Sequence, residues 1–210
     1  MRVALAMIPL LAGCSELDPN FAVSEWYDGV EMAENRPTPQ SLHTVGIALP
    51  GQWQRTDEQA TEGTMAWRFG DGATWPTLCD APLQTPDFDA VPTSFLRFAY
   101  FSDIPPLSPT TALDGAIVEY QLDNEPWEQL TPAGGYPYTL DPIAVGSPLS
   151  IGEGLLSGND RQWHDDYVRF DGGEEGQMVR FRFRFGCDID ASDNVGAGLF
   201  IDDVELLIVE

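Results

Sequence analysis

Residues 179–185 alternate strictly between apolar and cationic side chains. The run reads Val-Arg-Phe-Arg-Phe-Arg-Phe, so one face carries valine and phenylalanine and the other face carries three arginines. A period of two is typical of a strand that buries one face in a core and leaves the other at the surface. A second apolar run, 199–206, follows after an acidic, glycine-containing loop. Two neighbouring long strands of this kind favour an antiparallel sandwich.

Short strand patterns recur from residue 44 onward, separated by clusters of glycine and proline. Residues 94–101 alternate clearly, and Asp114-Gly115 opens another strand pattern over 116–122. No stretch repeats apolar residues at helical spacing for three turns. Roughly seven to nine short strands punctuated in this way predict an all-β fold, a two-sheet antiparallel jelly-roll sandwich over residues 45–210. With 43% hydrophobic and 11% aromatic residues, the chain can bury the core that this fold needs.

The N-terminus has the pattern of an export signal. Arg2 precedes an apolar stretch, Val3 to Leu11, which is too short to span a bilayer. Leu11-Ala12-Gly13-Cys14 then resembles the lipobox of bacterial lipoproteins, which implies a signal peptide at 1–13 and lipidation of Cys14. Ser15 resembles the pattern sorted to an outer membrane, so we expect an exported, lipid-anchored protein at the outer membrane or cell surface. An ordinary signal peptide or a misplaced start codon are the alternatives.

Residues 14–44 are acidic and lack apolar periodicity, which predicts a tether between the lipid and the domain. The whole chain is acidic as well. It carries 34 aspartate and glutamate residues against 10 lysine and arginine residues, which gives a net charge of −24. A field of this sign repels phosphate backbones and excludes nucleic acid as a partner.

Two cysteines, Cys79 and Cys187, remain beyond Cys14. Both follow extended segments, and an exported protein folds where disulfides persist. We therefore predict that they pair, closing a loop of roughly 100 residues worth about 4–5 kcal/mol on the chain-entropy estimate. Two buried free thiols are the alternative.

Six segments together resemble one family of domains: WRFGDG (67–72), SFLRFAYFSD (94–103), LDGAIVEYQLDN (113–124), LLSGNDRQW (155–163), MVRFRFRFGCD (178–188) and GAGLFIDDVEL (196–206). The jelly-roll modules of secreted bacterial proteins, including the C-terminal domains of immune inhibitor A-type metallopeptidases, have similar segments in the same order, and the final IDDV is similar to the end of MAM adhesion domains. That resemblance implies a MAM/concanavalin-like or galactose-binding-like jelly roll, non-catalytic, used in adhesion, and sometimes holding structural calcium. Cys187 departs from the small polar residue common in the family.

Carboxylates near the C-terminus are candidate calcium ligands. Asp188, Asp190 and Ser192 have the spacing that opens an EF-hand loop, but Asp193 and Leu199 occupy positions that need Gly and Glu, so an EF-hand is excluded. Asp202 shares a strand face with apolar residues and needs a partner if it is buried. We expect Asp188, Asp190 and Asp202 as metal ligands. Solvated or salt-bridged acids are the alternative.

Aromatic and cationic side chains supply candidate ligand contacts. Trp75, Tyr136, Tyr138 and Trp163 lie near turns or in loops, where aromatics stack on sugars or anchor interfaces, although many aromatics in sandwiches belong to the core. The long irregular segment 131–150 is the preferred place for binding. The arginine row 180–184 either forms a groove for anionic sugar or neutralises acids on neighbouring strands, such as Glu119 or Glu205.

No catalytic signature is present in the sequence. The two histidines, His43 and His164, are far apart and outside any HExxH motif, and no G-x-S-x-G elbow occurs. We predict a non-enzymatic binding or adhesion lipoprotein that recognises glycan or an envelope protein. A structural accessory subunit and a cryptic hydrolase with two facing carboxylates are the alternatives.

Overall fold

The structure is a computed structural model that describes residues 22–28, 42–44, 53–61, 63–192 and 194–209. The predicted signal peptide (1–13), the lipidation site Cys14 and much of the predicted tether lie outside these ranges. Over the described ranges the chain forms strands without helices, and no helix there is long and apolar enough to cross a membrane. The strands are β1 (Val23–Asp28), β2 (His43–Thr44), β3 (Trp53–Thr56), β4 (Ala66–Phe69), β5 (Asp80–Gln84), β6 (Phe88–Asp89), β7 (Thr93–Asp103), β8 (Thr111–Ala112), β9 (Gly115–Leu122), β10 (Glu128–Leu130), β11 (Tyr138–Leu140), β12 (Gly154–Leu155), β13 (Trp163–Asp171), β14 (Met178–Gly186) and β15 (Gly198–Ile208).

Two antiparallel sheets form the sandwich. Sheet I has the order β13-β7-β15-β4-β3, with β1 also paired to β15. Sheet II has the order β10-β9-β14-β5-β2, with β6 also paired to β14. A small third sheet, β12-β11-β8, contains a parallel pair between β11 and β8.

The strand order is that of a jelly roll. The first half of the domain pairs with the second half in reverse: β4 with β15, β5 with β14, β7 with β13, and β9 with β10. Rolling up one long antiparallel hairpin in this way makes successive strands alternate between the two sheets. The predicted all-β, two-sheet antiparallel jelly roll is therefore confirmed.

The alternating strand 179–185 lies at the centre of the core, as its pattern predicts. Phe181, Phe183 and Phe185 are fully buried between the sheets, while the arginines between them point outward. Phe185 stacks on Phe69 of sheet I with ring centroids 3.9 Å apart, and Phe183 meets Phe98 edge-on at 5.0 Å. Each buried phenylalanine contributes about 1.5–3 kcal/mol, so this one strand joins the two sheets strongly.

Strand β1 lies inside the stretch 14–44 that the sequence predicts to be a tether. It pairs with the end of β15, placing Tyr27 opposite Glu205. The carboxylate of Asp28 accepts a hydrogen bond from the backbone N–H of Leu42 at 2.7 Å. This part of the stretch thus belongs to sheet I. Most of the strand is exposed, which explains why its sequence shows no alternation.

A disulfide joins Cys79 and Cys187 at one end of sheet II. The two cysteines flank the paired strands β5 and β14, whose last pair is Asp80 with Gly186. Their Cα atoms are 4.8 Å apart, and the N–H of Cys187 donates to the carbonyl of Cys79 at 3.1 Å. The bond therefore closes two strands that the sheet already holds side by side.

Candidate functional site

A groove of about 670 Å³ lies on the outer face of sheet I. We call it the sheet I groove. Its volume falls within the range of about 300–1,000 Å³ that small-molecule sites occupy. Its polar lining comes from β1, β7, β13, β15 and the segment after β3, through Tyr27, Thr61, Arg97, Asp165, Asp203 and Glu205.

The groove is hollow because its central strand carries an alanine. In the register of sheet I, Ala99 on β7 pairs with Asp165 on β13 and with Asp202 on β15. Neighbouring strands are about 4.8 Å apart, so the two flanking strands are separated by about 10 Å. The alanine methyl leaves a depression between longer side chains on both sides.

A β-bulge shapes the far wall of the groove. The pairing of β15 with β7 shifts between Asp202 and Glu205, and Asp203 has a φ of 48°. Before the shift β15 also pairs with β4, and after it with β1. Aspartate tolerates this left-handed conformation better than most residues, and bulges often re-aim side chains beside functional sites. The bulge thus brings Asp203 and Glu205 to the same wall of the groove.

The wall residues are held by specific polar contacts. Arg97 forms an ion pair with Glu205, and the hydroxyl of Tyr27 donates a hydrogen bond to the carboxylate of Asp203. Asp165 is exposed on the opposite wall. Because three carboxylates face one guanidinium, the groove carries a net negative charge.

Asp202 lies fully buried behind the groove. Its carboxylate accepts hydrogen bonds from the backbone N–H groups of Thr61 and Asp203, each at 2.9 Å. Burial raises the pKa of Asp202 to about 6, although these two hydrogen bonds act in the opposite direction. The aspartate therefore changes charge close to neutral pH and holds the segment after β3 against sheet I.

The structure does not assemble the predicted calcium ligands. Asp188 and Asp190 lie together in the loop after β14, where Asp188 accepts the N–H of Asp190 and Asp190 accepts that of Ser192. Asp202 is instead bonded to Thr61 and its own neighbour. Within the described ranges, no three His, Cys, Asp or Glu side chains are grouped as a metal site. The three aspartates are therefore not gathered in one group within the described ranges, and calcium binding by this protein stays a prediction.

The four predicted ligand-binding aromatics occupy different environments. Trp75 is 5% exposed and donates its indole N–H to Asp114 at 2.7 Å, so its ring belongs to the core. The hydroxyl of Tyr136 is bonded inside the domain, to the backbone of Val118 and Leu130.

The other two aromatics of this set are half-buried, as Tyr136 is. Trp163 packs against Phe101 on the outer face of sheet I, with ring centroids 5.8 Å apart. Tyr138 lines a second, smaller cavity beside β13. Of the four, Tyr138 alone contacts a described cavity.

The arginine row of β14 neutralises neighbouring polar groups. Arg182 pairs with Glu119, as one of the two sequence interpretations expects, and Arg184 pairs with Asp80 at 2.7 Å. Arg180 donates to Gln121 at 2.8 Å. The other named acid, Glu205, pairs with Arg97 of sheet I instead. The row therefore does not form an open anionic-sugar groove.

Sequence reasoning missed most of the sheet I groove. Its residues come from five separate segments, and only the register of sheet I brings them together. The double acid Asp202-Asp203 within an apolar strand was the one available signal, since a strand interior rarely holds two adjacent acids without a bulge or a partner.

Comparisons with known proteins find distant structural likenesses. No known protein family and no curated protein matches the sequence. Solved structures that the chain resembles include an endo-β-1,4-glucuronan lyase from the fungus Trichoderma reesei (11% identity, 89% of this chain and 96% of that one, TM-score 0.49). Two others are a xylan-binding domain from CBM 22 (11%, 88% and 94%, TM-score 0.45) and the K3 cleaved adhesin domain of Lys-gingipain from Porphyromonas gingivalis (16%, 89% and 100%, TM-score 0.43). Likenesses this distant carry no conclusion about what this chain binds.

Proposed function

We propose that this chain is a non-catalytic carbohydrate-binding module of a lipid-anchored cell-surface protein, and that the sheet I groove binds a neutral glycan. The observation that carries the proposal is the groove itself. It has the volume of a ligand site, a floor made by a small residue, and walls made of carboxylates, a guanidinium and a phenol.

The wall groups match the hydrogen-bonding needs of a sugar. An ionised carboxylate offers two acceptor oxygens, which suit the adjacent hydroxyls of a pyranose ring, and Asp165 is exposed and available for this. Arg97 supplies planar donors at the other wall, where Glu205 fixes its position. The Tyr27 ring adds an apolar surface with a polar edge.

The charge of the groove selects among glycans. Three carboxylates against one guanidinium repel a uronate or sulfate, because like charges brought together cost free energy in a partly desolvated site. The net charge of −24 adds a repulsive long-range field. We therefore expect neutral oligosaccharides to bind and acidic ones to be rejected.

A calorimetric titration tests this proposal. Wild type and Asp165→Ala are titrated with neutral cello-, xylo- and manno-oligosaccharides and with an oligoglucuronate. We expect one neutral series to bind wild type and to bind Asp165→Ala at least tenfold more weakly. Glu175→Ala is the matched control, because Glu175 is an exposed carboxylate in the turn before β14 that does not line the groove. Wild-type binding to the acidic oligomer alone, or to no oligomer, would overturn the proposal.

The lipid anchor is a separate part of the proposal and rests on the sequence Leu11-Ala12-Gly13-Cys14. Several acyl chains at about 0.8 kcal/mol per buried methylene would hold the protein firmly on a membrane. Cys14→Ala should shift the expressed protein from the membrane to the soluble fraction. Unchanged membrane fractionation of this variant would contradict anchoring without affecting the glycan-binding prediction.

A further inference from the structure

A second cavity, of about 110 Å³, lies beside β13 and is separate from the sheet I groove. His164 on β13 lines this cavity, whereas the next residue, Asp165, lines the groove. Successive residues of a strand point to opposite faces, so the two sites lie on opposite sides of β13. A ligand in one site therefore does not occupy the other.

Aromatic rings form two walls of the cavity. The ring of Tyr100 stacks on that of His164, with centroids 5.0 Å apart and planes 26° from parallel. Tyr138 lies close to Gly158, where a Cβ atom would approach the Tyr138 ring to 2.5 Å. Gly158 has a φ of 112° and its carbonyl accepts hydrogen bonds from Ile104 and Ser102, so this wall is fixed. The tyrosine rings are π-systems, and a cation held beside such rings is attracted by their quadrupole.

The cavity also lies in a negative electrostatic field. Asp160 lines it and contacts Nε2 of His164 at 2.6 Å. The pKa of Tyr100 is raised to about 12, chiefly by burial and further by the charges of Asp166 and Asp160. The nearby Arg161 does not neutralise this field, because its guanidinium is paired with Asp103 at 2.9 Å.

One polar group of the lining has no partner. The residue Ser157 is 3% exposed, and its hydroxyl oxygen has no hydrogen-bond partner among the described residues. An unsatisfied buried hydroxyl is costly and in a native protein indicates an absent donor or acceptor. A ligand with N–H groups would supply that donor.

We propose that this cavity binds a small organic ammonium ion. The two aromatic walls attract the positive charge, Asp160 balances it, and the free oxygen of Ser157 accepts an N–H bond. A neutral molecule of the same size would fit the cavity but would not be attracted by its negative field. The ammonium can come from an amino sugar or from the amine of a lipid head group, and both carry the same recognised chemistry.

An NMR titration of the domain tests the proposal with two isosteric probes. Protonated 2-aminoethanol and ethylene glycol differ only in the replacement of an ammonium by a hydroxyl. We expect the amine to produce saturable shifts at the backbone amides of Tyr138 and Gly158, and ethylene glycol to bind at least tenfold more weakly. Equal affinity for both probes, or shifts that do not saturate, would refute an ammonium site.

Variants separate a binding role from a structural one. Tyr138→Leu and Asp160→Asn should each weaken amine binding at least fivefold, whereas Tyr138→Phe keeps the ring and should retain it. Glu175→Gln and the groove variant Asp165→Ala should bind the amine as wild type does. Urea midpoints identify any variant that fails to fold, and full affinity in a folded Asp160→Asn would overturn the proposal. Protonated glucosamine and phosphoethanolamine then distinguish the two ligand sources by their relative affinities.

Discussion

The buried carboxylate of Asp202 gives a sharp test of the structure. Its side chain is fully buried, and its ionised form keeps two backbone hydrogen bonds but little water. The folded state therefore binds a proton more tightly than the unfolded chain, with a pKa of about 6 against the ordinary 3.8. Replacing it by asparagine removes the ionisation and keeps the shape of the side chain; because the two N–H groups donate to different carboxylate oxygens, the single amide oxygen keeps one of the two hydrogen bonds.

The sign of the pH effect follows from proton linkage. Below pH 3.8 Asp202 is protonated in both states and gives no pH dependence. As pH rises toward 6 the unfolded chain loses this proton first, so the folded state loses stability. Well above pH 6 the ionised Asp202 lowers the free energy of unfolding by a constant amount of about 3 kcal/mol. This value follows from the difference between the two pKa values, at about 1.36 kcal/mol per pH unit. Between pH 5 and pH 8 this single group should lower the free energy of unfolding of wild type by about 1.4 kcal/mol.

Urea unfolding followed by tryptophan fluorescence measures the effect, since the chain contains 6 tryptophans. The free energy of unfolding of Asp202→Asn minus that of wild type should rise by about 1.4 kcal/mol between pH 5 and pH 8. A hydrogen bond lost in the variant lowers its stability equally at every pH, so it does not affect this rise between pH 5 and pH 8. Asp165→Asn is the matched control and should run parallel to wild type, because an exposed carboxylate is solvated in both states. A parallel curve for Asp202→Asn would show that Asp202 is not buried as described.

Three further predictions concern stability and are tested by the same unfolding assay. Replacing Cys79 and Cys187 together by alanine should lower the free energy of unfolding by about 2–5 kcal/mol, because the bond closes a loop of 108 residues; equal stability with and without reductant in wild type would contradict this. Arg182→Met should cost about 3–5 kcal/mol, because the buried Glu119 then keeps only the weaker ion pair with Arg184 at 3.8 Å, and the double variant with Glu119→Gln should recover much of that loss. Gly198→Ala should destabilise the protein by more than about 1 kcal/mol. Gly198 has a φ of 91°, and an added Cβ atom would lie 2.0 Å from a carbonyl oxygen of β4. A neutral effect would exclude the pairing of β15 with β4.

The central strands and the disulfide are the parts of the fold that local sequence patterns predict well. The alternation over 179–185 is strong because β14 has the opposite sheet on one side and polar neighbours on the other, so each residue has one environment. The cysteines adjoin strands whose pairing follows from the jelly-roll order. A signal of period two needs no information about distant residues, which is why it can be interpreted from the sequence alone.

Features that depend on register could not be predicted in this way. Trp75 is followed by proline and precedes a turn, so it looked exposed, but the distant Asp114 accepts its indole N–H and makes burial possible. Strand β1 is mostly exposed and gains its conformation from β15 rather than from its own pattern. The sheet I groove depends on the alignment of Ala99 with Asp165 and Asp202, which no segment shows alone.

The bulge in β15 explains how one strand can serve both the core and a surface site. A regular strand with Ile201 inward would point Asp202 outward, Asp203 inward and Val204 outward, which would bury a charge and expose a valine. The structure instead inserts one extra residue there, so Val204 returns to the core with an exposure of 0% and Glu205 faces the groove opposite Arg97. The strand keeps its apolar face continuous, and the extra residue places the acidic side chains together at the groove. Deleting Asp203 should therefore remove the bulge and change the groove while Val204 stays in the core, because the shortened strand again alternates regularly, whereas the substitution Asp203→Asn should keep the bulge and change only the charge of the groove.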